Sequence, residues 1–139
     1  MNATGDLGAV FASLYAAHMV ADHWVQTHGQ ALTKSTPTWA GRLANTAHVA
    51  TYTATALLAV TLMAWRTGLP LDPARLAAGL LISAVTHWWA DRRHTLRSLA
   101  VRVGKGDFAD LATGGMNGLY LLDQSWHIGW LFIAALIIT

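Results

Sequence analysis

Four apolar stretches, at about 7–26, 43–65, 74–91 and 118–138, leave this sequence few folds to choose between. A helix needs about 20 apolar residues to cross a bilayer core. The third stretch is the shortest and reaches that length by taking in Ala74 and Arg75, whose side chain can snorkel outward. Lipid offers the backbone no hydrogen bonds, so each stretch must satisfy its own N–H and C=O groups as a helix. The chain is 54% apolar and 12% charged, too little charge to solvate an aqueous surface. These features predict an all-α fold: an integral membrane four-helix bundle forming a single transmembrane domain over residues 1–139.

The connections carry turn chemistry. Residues 28–39 hold Gly29, Lys34, Ser35 and Pro37, and residues 67–73 hold Gly68, Pro70 and Pro73, so both read as loops. Over about 92–103, Leu96, Leu99, Ala100 and Val103 recur at three- and four-residue spacing among arginines. That pattern predicts a short amphipathic interfacial helix between the third and fourth transmembrane helices. The glycine-rich stretch 104–118 reads as an irregular return to the membrane.

Lys34, Arg42, Arg92, Arg93, Arg97, Arg102 and Lys105 fall on one side of this arrangement, with Arg66 and Arg75 on the other. The excess of basic residues places their side in the cytoplasm and both termini outside. Topology-setting charge is the first reading of this basic set, and binding of an anionic headgroup or substrate phosphate is the second. With so few basic residues the acidic partner is membrane lipid and not nucleic acid. The absence of cysteine excludes thiolate metal sites, iron–sulfur clusters and disulfides.

Against this background the ionisable residues inside the apolar stretches stand out. His18 and Asp22 close the first helix, His48 opens the second, His87 and Asp91 close the third, and Asp123 and His127 open the fourth. Because helix direction alternates, these positions converge at one depth, in the cytoplasmic half. Three His/Asp pairs are spaced i, i+4, which stacks both side chains on one helical face. Imidazole and carboxylate donors together suit zinc first, then iron or manganese, and inward-facing pairs on neighbouring helices are how bundles build metal cages. Four histidines and three aspartates exceed one tetrahedral site. Either two ions bind, or one binds while the remaining Asp residues orient ligands or act as base. Asp91, expected nearest the water, is the first choice for that base, with Asp22 and Asp123 behind it. Gln26, four residues beyond Asp22, and Gln124 are candidates for orienting ligands or substrate. A cluster that merely glues helices together is the bland alternative, but an ionisable group at the bilayer centre costs on the order of 3 kcal/mol and is normally functional.

The motifs HMVADHWVQT (His18–Thr27), NTAHVA around His48, THWWAD ending at Asp91 and LLDQSWH ending at His127 together resemble an uncharacterised bacterial family of small polytopic membrane proteins. That family is distantly similar to membrane-bound metal-dependent hydrolases. The resemblance spans nearly the whole chain. It implies His18, Asp22, Gln26, His48, His87, Asp91, Asp123, Gln124 and His127 as the site, and a metal-dependent hydrolase acting on a lipid or lipid-like substrate. Two other classes compete: a metal-ion or proton transporter or channel, which needs a polar path through the outer half, and a structural membrane subunit. Four short helices bury little surface, so a homodimer is an added expectation.

Overall fold

The computed structural model describes residues 3–139, with side chains from residue 6. The described fold is helical. Four long helices, α1 (Ala3–Val20), α3 (Trp39–Thr67), α4 (Pro73–Asp91) and α7 (Gly118–Ile138), form the bundle. Three short ones, α2 (His28–Thr33), α5 (His94–Arg102) and α6 (Gly106–Ala109), lie in the connections. Within the bundle α4 packs chiefly on α7 and α1 chiefly on α3. By length and composition α3 and α7 are apolar enough to cross a membrane.

Local chemistry fixes the helix ends. The Asp72 carboxylate accepts from the Ala74 and Arg75 N–H groups at 2.8 and 2.9 Å, with Pro73 at the first helical position, where its missing N–H costs nothing. Thr38 and Asn117 cap α3 and α7 through bonds from Gly41 N–H and Tyr120 N–H. At its other end α3 stops on Gly68 at φ 72°, a left-handed conformation that glycine adopts without strain.

Each long helix carries one buried stripe at three- and four-residue spacing, and each stripe changes character along its length. In α1 it runs Val10, Leu14, Ala17 and then His18; in α3 it runs Asn45, His48, Tyr52 and then Ala56, Val60. In α4 Leu80 gives way to Ser83, His87 and Asp91, while α7 passes from His127 to Leu131, Ala134 and Ile138. The four apolar ends pack into one core, and the four polar ends meet at the other end of the bundle. Close approach helps: a Cβ on Gly79 of α4 would stand 2.9 Å from the Ala134 carbonyl oxygen of α7, leaving no room there for a larger residue.

Three sequence expectations change. The loop after the first helix contains α2, opened by a capping box in which Thr27 and Gln30 bond each other's backbone N–H. The stretch 104–118 is less irregular than expected: it forms α6 and a two-residue antiparallel pair, β1 (Ala112–Thr113) with β2 (Met116–Asn117). Gly114 and Gly115 at φ 58° and 80° make the turn between them. Finally, the first helix does not run as a regular α-helix to Gln26. Ala21–Val25 form a π-helical turn, closed by a 2.8 Å bond from Gln26 N–H to the Ala21 carbonyl.

Candidate metal centre

The polar ends of the four stripes bring seven ionisable side chains together. His18, His48, His87 and His127 are all buried, as is Asp91, and the side chains of Asp22 and Asp123 are 8% and 17% exposed. His48 Nε2 and His87 Nε2 lie 3.2 Å apart. Asp22 Oδ1 is 3.4 Å from the first and 3.6 Å from the second; Asp91 Oδ2 is 3.4 and 3.3 Å from them. These four atoms come from α3, α4 and the π turn.

The spacing can be tested against a metal. Ligands about 2.0–2.1 Å from a tetrahedrally bound ion stand about 3.3–3.4 Å from each other. The five edges that include an imidazole run from 3.2 to 3.6 Å, and the donor atoms mutually within 4.8 Å form two triads sharing His87, one with His48 and Asp91 and one with His18 and Asp22. The donors also lack other employment. Asp22 Oδ1 and Asp91 Oδ2 are buried without a hydrogen-bond partner among the described residues, a costly state for a carboxylate oxygen unless a cation faces it. A divalent ion fits.

The remaining candidates surround this set. His18 Nδ1 lies 3.7 Å from Asp22 Oδ2, and its Nε2 is 3.2 Å from Gln124 Oε1, so the glutamine amide fixes which ring nitrogen faces the aspartate. The His127 ring stacks on His87 at 4.0 Å, with its Nε2 3.4 Å from Asp123 Oδ1; both of these atoms are buried without a hydrogen-bond partner. Asp91, Asp123 and His127 offer a third group of donor atoms within 4.8 Å of one another. Gln26 lies at the edge, its Nε2 buried without a partner. Asp91 is not the carboxylate nearest the water: it is 3% exposed, and Asp123 is the most open of the three.

Residues that the motifs do not mark complete the centre. Tyr52, one turn beyond His48, stacks on His87 at 4.1 Å and shares a 2.5 Å bond with Ser83 Oγ, forming an aromatic floor between centre and core. Asn45 Nδ2 donates to the Trp88 carbonyl at 2.9 Å. Lys34, on the loop after α2, places Nζ 2.7 Å from Asp91 Oδ1. That loop is tied down by Arg92, which is only 4% exposed, donates to the carbonyls of Lys34 and Thr36 at 2.9 and 2.7 Å and lies over Trp88. Arg92 is thus a structural clamp, a role the sequence did not mark. A cavity of about 160 Å³ lined by Asp22, Gln26, Lys34, Asp91, Arg93 and Asp123, among others, leads from the centre to the exterior.

Over residues 10–139 the chain matches the family described as protein of unknown function DUF3307. No curated protein and no solved structure matches it.

Proposed function

The chain belongs to the DUF3307 family, and from the geometry of its centre we propose that it is a membrane-embedded metal-dependent hydrolase acting at the cytoplasmic interface on a lipid or lipid-like substrate. In this reading α1, α3, α4 and α7 all cross the bilayer, both termini face outward, and the polar end of the bundle opens toward the cytoplasm. The observation that carries it is the convergence of His48 Nε2, His87 Nε2 and Asp91 Oδ2 within 3.2–3.4 Å of one another, with Asp22 Oδ1 beside both imidazoles, opening on a polar cavity.

His48, His87 and Asp91, with Asp22 beside them, would hold one divalent ion, zinc by donor type. Such an ion supplies Lewis acidity that acidifies water and polarises an ester or phosphoryl oxygen. Asp91 would be the most weakly held of them, because Lys34 already offers its other oxygen a partner at 2.7 Å. Asp123, the most open carboxylate and a wall of the cavity, takes the proton from the attacking water, and His127 beside it stabilises the charge change. Tyr52 and the apolar core behind it keep water on the cavity side. That closed outer half also weighs against an ion path through the bundle.

The test is elemental analysis of detergent-purified protein together with mass spectrometry of membrane lipid extracts incubated with it. We expect stoichiometric zinc in the wild type and in Asp123→Ala, loss of zinc in His87→Ala, and new lipid products with the wild type alone. Negligible metal in every protein, or bound metal without any lipid turnover, would refute the hydrolase.

A further inference from the structure

Arg93 is the one non-glycine residue at positive φ among the described residues, with φ 54° and ψ −50°. His94 N–H bonds back to the Arg92 carbonyl at 2.5 Å. A bond between residues i and i+2 around such a centre is a γ-turn of the rare, strained kind, and a non-glycine residue is held in that region only by its surroundings. Glycine would fit here without strain. The strain turns the chain sharply between α4 and α5, and it puts three consecutive residues to three uses. Asp91 faces the imidazoles, Arg92 points back to clamp the Lys34 loop, and Arg93 lines the cavity above the centre.

The Arg93 guanidinium makes no hydrogen bond or ion pair with the described residues, in contrast to Arg92 and to Arg97, which forks onto Asp110. Gln26, on the same cavity wall, has a buried amide nitrogen with nothing to donate to. Two kinds of N–H donor therefore face one small space without an acceptor. The charges point the same way. Asp22, Asp91 and Asp123 are balanced by a divalent ion and Lys34, which leaves Arg93 uncompensated. About 160 Å³ is room enough for a group of phosphoryl size.

We propose that this cavity binds the phosphate of the substrate, with Arg93 as its principal receptor and Gln26 as a second donor, so that the substrate is a phosphate ester. Arg suits this role because its planar fork donates two parallel bonds to phosphate oxygens. The inference rests on the metal reading above, since the ion supplies part of the positive field. The phosphate belongs either to a lipid headgroup or to a soluble ester.

The experiment is calorimetric titration of zinc-loaded, detergent-purified protein with inorganic phosphate, dihexanoyl phosphatidic acid and dihexanoyl glycerol, in the wild type and in Arg93→Gly. The variant removes the guanidinium and relieves the turn, so its thermal midpoint should hold or rise while zinc content stays unchanged. Phosphate and phosphatidic acid should bind the wild type, dihexanoyl glycerol should not, and affinity should fall at least tenfold in Arg93→Gly. Arg93→Lys should lie between the two. Tighter binding of phosphatidic acid than of phosphate identifies a lipid headgroup, and equal binding identifies a soluble ester. Zinc-loaded protein that is indifferent to phosphate, or equal affinity in wild type and Arg93→Gly, overturns this inference and leaves the metal centre standing. Protein that takes up no zinc sinks the hydrolase reading first.

Discussion

Replacing Arg92 by methionine separates the clamp from the helix that carries it. Methionine keeps an unbranched apolar stem against Trp88 and removes only the guanidinium. Two hydrogen bonds from a charged donor to the Lys34 and Thr36 carbonyls are lost, each contributing about 1.5–3 kcal/mol. The contact over the Trp88 ring adds about 0.5–1 kcal/mol. Lys34 and Thr36 are only partly buried, so water recovers some of the carbonyl bonding in the variant. The expected net loss is about 2–4 kcal/mol. Denaturant titration in mixed micelles measures it, and hydrogen exchange over residues 33–38 should rise in step, because the clamped loop is what opens. Arg92→Lys keeps the charge but cannot span both carbonyls, so it should recover less than half of the loss. A loss under about 0.5 kcal/mol for Arg92→Met, or unchanged exchange in the loop, would show that Lys34 is held over Asp91 by something else.

Gly79→Val places side-chain atoms against the Ala134 carbonyl and Ile138; overpacking of about 1–3 kcal/mol should lower the thermal midpoint, and an unchanged midpoint would mean that α4 and α7 separate freely. Tyr52→Phe removes the hydroxyl bonded to Ser83 and leaves Ser83 unpaired in the core, for a loss of about 1–2 kcal/mol in the same melt with zinc content unaltered; depletion of zinc would contradict its placement as a floor. The Arg97 guanidinium holds the exposed Asp110 carboxyl below its ordinary value near 3.8. A lowered folded value makes this pair's contribution full above that pH and lost as pH falls through the folded value. The stability difference between wild type and Arg97→Ala, followed by melts across pH 2–6, should therefore shrink toward the acid end, and growth toward acid would reverse the assignment.

The long helices were legible in the sequence because apolar length is a property of the segment itself, and the ranges expected for the second and fourth differ from α3 and α7 by at most four residues at either end. Alternating helix direction also brought the imidazoles and carboxylates to one end of the bundle, where they meet. What escaped depends on partners remote in the chain or on short-range geometry. The short helix α2 has too few turns for periodicity to register, although its Thr27–Gln30 box was present in the sequence. Arg92 reads as surface charge until its acceptors, 58 and 56 residues away, are in place. The four-residue spacing of Asp22 and Gln26 implied one regular helical face, and only the five-residue hydrogen bond reveals that the turn between them is wide. Tyr52 follows His48 by four residues, and that spacing was its only signal.

That wide turn also bears on how such a centre can be gained or lost. A π turn holds one residue more than the α turn it replaces. Excising a single codon within Ala21–Val25, such as that of Trp24, whose side chain is 85% exposed, would let the first helix close up as a regular coil. Residues beyond the excision would keep their facing, because the wide turn absorbs that one residue, while the residues inside the turn, Asp22 among them, would shift. The deleted protein should hold zinc less tightly than its parent, because Asp22 sits in the turn that changes, and one that kept its zinc would show that the extra residue is incidental to the centre.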